Sequence, residues 1–145
     1  MREYLGNQEA TEEAFCDGSW LRTGDLARMD DEGFIYIVDR LKDMIITAGY
    51  NIYPAELESV IAAHPDVAMV GVGSVTDPTK GELAKAYIVR RLGSNPQIAD
   101  IERHCRESLA AYKVPRAFQF VDDLPKTGSG KILRRQLSTL EPSKS

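Results

Sequence analysis

Residues 54–89, with the sequence PAELESVIAAHPDVAMVGVGSVTDPTKGELAKAYIV, decide the fold because they place one amphipathic helix before two apolar strands. Residues 54–63 begin with proline, have acids in the first turn and space their apolar side chains three or four positions apart, which predicts a helix. Residues 67–75 and 83–89 are mainly apolar and flank the polar turn 76–81, which predicts two strands. This order of elements is typical of an α+β domain.

The chain after residue 89 continues the alternation of helix and strand. The pattern predicts a second helix at 97–111, a short strand at 118–121, a polar loop at 122–130 and a short final helix at 131–137. We expect residues 142–145 to form a disordered tail. Four residues of the second helix are predicted to face the core: Ile98, Ile101, Cys105 and Leu109.

The first forty residues have a different character, because acidic and glycine-containing turns separate short apolar pieces and predict hairpins. Residues 34–38, FIYIV, are predicted to form a strand. Residues 39–43, DRLKD, then include four charged side chains that are costly to bury. The charged stretch indicates either a hinge between two domains or a surface turn.

Composition and charge exclude several classes of function. The chain has 145 residues and a net charge of −4, so it has no electrostatic basis for binding nucleic acid. No apolar run approaches the roughly 20 residues of a membrane-spanning helix and no signal-peptide pattern is present, so we expect a cytoplasmic protein without a transmembrane segment. Cys16 and Cys105 lie far apart with only two histidines in the chain, so we expect neither a metal site nor a disulfide framework.

Residues 124–132, LPKTGSGKI, are the first candidate for chemistry. The glycines and serine before Lys131 predict a flexible loop with free backbone N–H groups and a cation, which suit a phosphate or a carboxylate. The loop is not a Walker A motif, which would need glycine at the position of Pro125 and Ser or Thr at that of Ile132. On local composition alone, the alternative is a solvated surface loop.

Two further segments carry independent signals. Residues 20–25, WLRTGD, present the carboxylate of Asp25, whose two oxygens can accept hydrogen bonds from the vicinal hydroxyls of a ribose. The alternative there is an ordinary Asx turn. Residues 38–58, VDRLKDMIITAGYNIYPAELE, lead from the charged stretch through a glycine and an amide into a helix.

Together, in this order, the three segments resemble the C-terminal part of the adenylate-forming superfamily of acyl-CoA synthetases, peptide-synthetase adenylation domains and luciferases. Residues 1–11, MREYLGNQEAT, are similar to the family's M-x-x-Y-x-x-N-x-x-A-T stretch, so the resemblance covers essentially the whole chain. It implies a small α+β lid domain with a short central mixed sheet flanked by helices. A hairpin-rich edge of the large domain precedes this lid.

The resemblance also implies domain boundaries and a reaction. Residues 1–41 correspond to the edge of the large N-terminal domain, 42–43 to the hinge and 44–141 to the lid. In such enzymes a carboxylate attacks the α-phosphate of ATP to give an acyl adenylate and pyrophosphate, and a thiol then takes the acyl group. We therefore expect ATP and CoA as substrates, with Mg²⁺ bound in the large domain. We also expect this chain to be part of a longer enzyme and to be inactive alone.

Nucleotide and catalytic roles follow residue by residue from the resemblance. Lys131 matches the catalytic lysine that contacts the substrate carboxylate and an α-phosphate oxygen. Asp25 matches the acid that binds the ribose hydroxyls, and Arg40 matches the arginine that reaches the ribose or phosphate. Asn51 matches a polar residue near AMP.

Two more positions match the parts of the family that move between the half-reactions. Lys42 falls at the hinge, whose backbone torsions change between the two lid orientations. Gly49 lies in the segment that turns toward the active site and helps to form the pantetheine tunnel for CoA. The alternative for Gly49 is a glycine needed only for a turn with positive φ.

Departures from the family pattern bear on the substrate. Luciferases and plant hydroxycinnamate ligases usually have a lysine six residues beyond the arginine, where this chain has Ile46. This disfavours light-producing oxidation and weakens a plant-type aryl specificity. The amino-acid sequence of residues 38–58 is most similar to that of bacterial fatty-acyl-CoA ligases, which favours a fatty acid as the acid substrate and CoA as the thiol.

Two alternatives remain open at this point. One is an adenylation domain that loads a carrier protein, and the other is a non-catalytic module for interaction. The presence of Asp25, Arg40 and Lys131 together disfavours the second, since a binding module does not need three nucleotide-contacting positions.

Overall fold

The computed structural model describes residues 1–17 and 19–143, which divide into two compact units. The first unit is Met1–Lys42, and the second begins at Asp43. Within the part of the chain that is described, no helix is both long enough and apolar enough to cross a membrane.

The first unit consists of one short helix and two small hairpins. Its elements are α1 (Gln8–Ala14), β1 (Phe15–Cys16), β2 (Trp20–Leu21), β3 (Asp25–Met29) and β4 (Ile35–Arg40). Both strand pairs, β1 with β2 and β3 with β4, are antiparallel, which confirms the predicted hairpins. Helix α1 was not predicted, because its sequence, QEATEEA, has no apolar stripe; none of its residues is buried. Its start is stabilised by Asn7, whose side-chain oxygen accepts from the backbone N–H of Ala10 at 3.0 Å.

The charged stretch 39–43 is more structured than its composition predicts. Strand β4 continues to Arg40, two residues beyond the predicted strand 34–38, and a 3₁₀ turn follows at Leu41–Asp43. The Asp39 side chain is buried, and its Oδ1 accepts from the backbone N–H of Arg40 at 2.8 Å. The strand can therefore continue through the charged residues Asp39 and Arg40, because the buried carboxylate of Asp39 has a hydrogen-bond partner.

The second unit is a mixed sheet with helices, which confirms the predicted α+β class. Its elements are β5 (Ile45–Thr47), β6 (Tyr50–Ile52), α2 (Pro54–Ala62), β7 (Val67–Asp77), β8 (Gly81–Arg90), α3 (Ile98–Ser108), β9 (Ala117–Phe120) and a 3₁₀ helix, Arg134–Thr139. The strand order is β6-β5-β8-β7, all antiparallel, and β9 adds parallel to β8. Strand β7 is thus an edge of the sheet.

Alternation along β8 divides the core between the two faces of the sheet. Ala86 and Ile88 point to the face covered by α2 and α3, where they join Leu57 and other apolar residues in one cluster. Tyr87, between them, points to the other face and packs with Leu137 of the 3₁₀ helix. The segment that follows β9 therefore covers the face of the sheet opposite the helices.

Three details of the helices differ from the predictions. Helix α3 ends at Ser108, earlier than predicted, and its first residue, Ile98, is exposed instead of facing the core. The predicted final helix at 131–137 is displaced to Arg134–Thr139. The displacement has a physical reason, since residues 131–133 pair with residues 125–127 instead of entering a helix.

Candidate functional site

Asp25 and Arg40 are brought together by the hairpin of β3 and β4, in which they are direct cross-strand partners. The Nε of Arg40 donates to Oδ1 of Asp25 at 3.2 Å. Two contacts define the backbone beside this pair: Asp25 N–H donates to Thr23 Oγ1 at 3.1 Å, and Leu41 N–H donates to the carbonyl of Gly24 at 2.8 Å. The turn before Asp25 is thereby tied to the end of β4.

The ion pair leaves hydrogen-bonding capacity on both side chains. Arg40 is 54% exposed and Asp25 29%, and the described contacts use one guanidinium nitrogen and one carboxylate oxygen. A cavity of about 330 Å³ adjoins Arg40 and is lined by Thr23, Gly24, Arg40, Leu41 and Lys42. Acceptors and donors placed side by side in this way can bind a diol together with a nearby anion.

Lys42 lies in the middle of the 3₁₀ turn Leu41–Asp43, and its side chain is exposed. It lines the same cavity as Arg40, so the first unit brings together three of the predicted site residues: Asp25, Arg40 and Lys42. Thr23, whose hydroxyl holds the Asp25 backbone, was not singled out from the sequence. The signal for it is a hydroxyl residue two positions before an acid in a turn.

Gly49 and Asn51 are both carried by the hairpin of β5 and β6. The two central residues of its turn, Ala48 and Gly49, have positive φ values of 48° and 84°, as expected for the two-residue turn that suits the twist of a hairpin. A Cβ atom added at Gly49 would meet no atom within 4 Å. Within this unit, then, glycine is required by backbone conformation and not by close packing. Asn51 is exposed and pairs across the hairpin with Ile46.

The neighbour of Gly49, Tyr50, has an aromatic partner that sequence spacing did not suggest. Its ring stacks on that of Tyr112, with centroids 4.8 Å apart. The next residue, Lys113, donates to both carboxylate oxygens of Glu56 at 2.7 and 2.8 Å. This contact with Glu56 raises the pKa of the Lys113 ammonium above its ordinary value.

Lys131 lies in a tight hairpin and not in the flexible loop that was predicted. Thr127 N–H donates to the Lys131 carbonyl at 2.8 Å, and Lys131 N–H donates to Thr127 Oγ1 at 3.1 Å. Gly130 N–H donates to the Thr127 carbonyl at 2.9 Å, and Gly130 itself has a φ of 82°. These three N–H groups are therefore engaged within the hairpin and are not free to bind a phosphate, which corrects the prediction.

The Lys131 side chain is exposed at the end of this hairpin. Over residues 1–17 and 19–143, the other lysine of the hairpin, Lys126, has an ion-pair partner in Asp123, whereas Lys131 has none. A backbone N–H from Leu124, with Lys126 as a smaller contribution, holds the pKa of Asp123 below its ordinary value. The hairpin thus presents one uncompensated ammonium group.

An ionic cluster that the sequence pattern does not indicate lies immediately after Lys131. The guanidinium of Arg134 contacts Glu58 of α2 and Asp43, the residue after Lys42. These three residues are distant in sequence, so no local pattern could reveal them. Among the residues that are described, no group of three or more His, Cys, Asp or Glu side chains is arranged to hold a metal ion.

Comparison with known proteins adds independent evidence. The family model described as "AMP-binding enzyme C-terminal domain" matches residues 56–131. The 2-succinylbenzoate–CoA ligase of Bacillus licheniformis is 47% identical over 94% of this chain, which spans 28% of that protein. A long-chain-fatty-acid–CoA ligase of Bacillus subtilis is 45% identical over 94% of the chain and 24% of its own length.

A solved structure is also similar. The o-succinylbenzoate CoA synthetase of Bacillus subtilis, in complex with its acyl-adenylate intermediate, matches 100% of this chain and 29% of its own chain, with a TM-score of 0.90 and 41% identity. The chain therefore spans less than a third of the length of these relatives.

Proposed function

Because this chain belongs to the AMP-binding enzyme C-terminal domain family, we propose that it is the lid part of an acyl-CoA ligase that activates a carboxylic acid with ATP. The observation that carries the proposal is the exposed, uncompensated ammonium of Lys131 at the end of a structured hairpin. The proposed products are acyl-CoA, AMP and pyrophosphate. The names of the relatives, which are acid–CoA ligases, support this choice of reaction.

The proposed reaction has two half-reactions. In the first, a carboxylate oxygen attacks the α-phosphorus of ATP, the bond to the pyrophosphate oxygen breaks, and an acyl adenylate forms. In the second, the CoA sulfur attacks the acyl carbon, AMP leaves with the electrons of the acyl–oxygen bond, and the thiol proton is lost to solvent. Charge on the oxygens around phosphorus is what a positioned cation can stabilise in the first half-reaction.

Lys131 is the residue proposed to supply that cation. An ammonium on a flexible stem can approach both the attacking carboxylate and an α-phosphate oxygen. The hairpin holds the Lys131 backbone by hydrogen bonds in both directions to Thr127, so only the side chain needs to be ordered by substrate. Little conformational freedom of the backbone would then be lost on binding.

Asp25 and Arg40 are proposed to bind the ribose and the phosphate of the nucleotide. The cavity beside Arg40 has room for part of a nucleotide. The carboxylate of Asp25, which Arg40 contacts, can accept hydrogen bonds from two vicinal hydroxyls. Arg40 would hold the carboxylate in one orientation while its remaining N–H groups donate to the ligand. Asn51 is proposed to contact AMP from the second unit.

Lys42 and Gly49 are proposed to serve the change between half-reactions. Lys42 is exposed and lies at the boundary between the two compact units, as a hinge residue requires. Gly49 is proposed to line the passage for the pantetheine arm of CoA. The open space beside Gly49 supports this proposal, because a Cβ atom added there would meet no atom of its own unit within 4 Å and would project into that space.

The acid is proposed to be a fatty acid, because the sequence of residues 38–58 is most similar to that of bacterial fatty-acyl-CoA ligases. Relatives named for 2-succinylbenzoate and for long-chain fatty acids have similar identities, 47% and 45%, so an aromatic dicarboxylate is the competing substrate. Mg²⁺ is expected to accompany ATP. We propose that the large domain binds it, since the described residues hold no cluster suited to it.

The test is pyrophosphate release by the full-length protein that contains this chain. Short, medium and long-chain fatty acids, 2-succinylbenzoate and hydroxycinnamates would each be supplied with ATP and Mg²⁺. CoA or a phosphopantetheinyl carrier protein would then be offered as the thiol. We expect turnover with a fatty acid and CoA. If none of the acids in the panel supports pyrophosphate release, the ligase function is overturned. Preference for 2-succinylbenzoate or for the carrier protein would replace the proposed acid or thiol.

A further inference from the structure

The guanidinium of Arg134 is held by two carboxylates from distant parts of the chain. Its Nε and Nη2 donate to Oε1 and Oε2 of Glu58 at 3.0 and 2.7 Å, and its Nη1 donates to Oδ2 of Asp43 at 3.0 Å. The side chains are mostly buried, with exposures of 22% for Arg134, 16% for Glu58 and 23% for Asp43. Two-point contacts between arginine and carboxylate restrict geometry far more than a contact through a single lysine nitrogen.

Glu58 connects this cluster to the edge of the sheet. Its Oε1 also accepts from the backbone N–H of Val72 at 2.9 Å. Val72 lies in β7, the edge strand, so Glu58 caps an amide that has no neighbouring strand on that side. The carboxylate therefore links α2, β7 and Arg134 at one point.

Apolar contacts on both sides of Arg134 seat the same segment on β7. Ile132 and Leu137 pack over Gly71, where an added Cβ would come within 3.2 to 3.3 Å of their methyl groups. The absence of a side chain at Gly71 allows this close approach. Arg134, located between Ile132 and Leu137 in sequence, supplies the polar anchor of a segment that begins with Lys131.

We propose that Arg134 is a positioning residue for Lys131. Through Glu58 it fixes the base of the lysine hairpin on β7, so that the Lys131 ammonium starts from one defined place when the lid closes for adenylation. The inference rests on the proposed function, since it concerns the same half-reaction. It concerns a residue that would act through Lys131 and would not itself touch the nucleotide.

The contact with Asp43 adds a second consequence. Asp43 directly follows Lys42, the predicted hinge, and its carboxylate is tied to the segment that follows Lys131. A rotation of the lid would therefore carry Asp43 and Lys131 together as one rigid body. The change in backbone torsion would then be confined to Lys42 and the residues before it.

The test is a double-mutant cycle in the full-length enzyme. Adenylation would be measured as pyrophosphate release under single-turnover conditions for wild type, Arg134→Met, Lys131→Ala and the double variant. We expect Arg134→Met to lower the adenylation rate roughly 10-fold or more, with the ATP concentration for half-maximal rate changed less than threefold. In the Lys131→Ala background the same substitution should lower the adenylation rate less than threefold, because its effect requires the Lys131 ammonium.

Arg135→Met is the matched control, since Arg135 is adjacent and exposed and has no ion pair over residues 1–17 and 19–143. It should retain the wild-type rate. Equal rate losses for Arg134→Met with and without Lys131 would overturn the inference, as would an Arg134→Met rate equal to that of Arg135→Met.

If Arg134→Met does not fold, Arg134→Lys replaces it in the cycle; the lysine retains the charge but not the two-point contact, and the same non-additivity is required. Absence of pyrophosphate release in the wild type would overturn the proposed function itself. Wild-type release combined with additive losses would overturn only the role of Arg134.

Discussion

Asp25 and Arg40 are cross-strand neighbours in one hairpin, and their side chains meet at 3.2 Å although they are 15 residues apart. The register that pairs them includes an irregularity between Leu26 and Ala27, after which the partners shift by one residue. Such a bulge re-aims side chains along a strand. An acid and a base with separate predicted contacts to the nucleotide are thus oriented before any ligand binds.

Replacement of Asp25 should weaken nucleotide binding without unfolding the protein. In the full-length enzyme, Asp25→Ala is expected to raise the KM for ATP by about 10- to 100-fold, since loss of a charged hydrogen-bond partner costs about 1.5 to 3 kcal/mol. Steady-state kinetics with varied ATP measure this change. Asp31→Ala is the control, because Asp31 is an exposed acid in the turn between β3 and β4. A KM for Asp25→Ala equal to that of the control would contradict the role.

Replacement of Lys131 should separate the two half-reactions. Lys131→Ala is expected to lower adenylation by roughly 10²- to 10³-fold, the usual cost of losing a group that stabilises developing charge. Thioester formation from a supplied acyl adenylate should persist, because the phosphate bond is already broken in that substrate. Rapid-quench assays of each half-reaction measure the two rates. Lys126→Ala, in the same hairpin but paired with Asp123, is the control. Equal loss of both half-reactions would argue against the assignment.

A side chain at Gly49 should obstruct transfer to CoA. Gly49→Leu is expected to slow thioester formation at least 10-fold while adenylation is kept. It should also destabilise the protein by about 1–2 kcal/mol, because leucine is strained at a φ of 84°. Gly93→Leu is the matched control, since Gly93 has a φ of 82° and equally open surroundings. Thermal unfolding should respond alike in both variants. If thioester formation also responds alike, the tunnel assignment is wrong.

The Lys113–Glu56 pair should make stability depend on pH in the alkaline range. The pKa of Lys113 is higher in the folded protein than its ordinary value, mainly because the Glu56 carboxylate accepts hydrogen bonds from the Lys113 ammonium. The resulting stabilisation is therefore fully present below the unfolded pKa of about 10.4 and is lost as pH rises through the higher folded value. Urea unfolding at pH 8 and pH 11 measures it. Glu56→Gln should lose less stability than wild type between these two pH values. An identical loss in both proteins would refute the linkage.

Much of the candidate site could be predicted from local pattern. The three motifs around Asp25, Lys42 and Lys131 indicated the adenylate-forming superfamily, and the family match confirms that membership. The helix at 54–63 and the strands around 70 and 86 were predicted because their apolar spacing directly reflects burial. The site roles of Asp25, Arg40, Lys42, Gly49, Asn51 and Lys131 stay predictions.

Other features could not be predicted locally. Helix α1 has no buried face, and the N–H groups near Lys131 have partners within a hairpin that composition alone describes as a loose loop. The stacking of Tyr50 on Tyr112 joins residues with no shared motif. Each of these depends on hydrogen bonds or packing partners that a window of sequence does not contain.

By itself, the sequence determined the larger elements α2, β7 and β8, the family and the residue types available for chemistry, because periodicity and short motifs are local properties. Only the tertiary structure decided that Arg134 meets Glu58 across 76 residues and Asp43 across 91. These two contacts depend on how the edge strand β7, helix α2 and the segment after β9 pack together. Their formation follows from burial of the apolar side chains around Arg134, which brings otherwise unrelated charges within hydrogen-bonding distance.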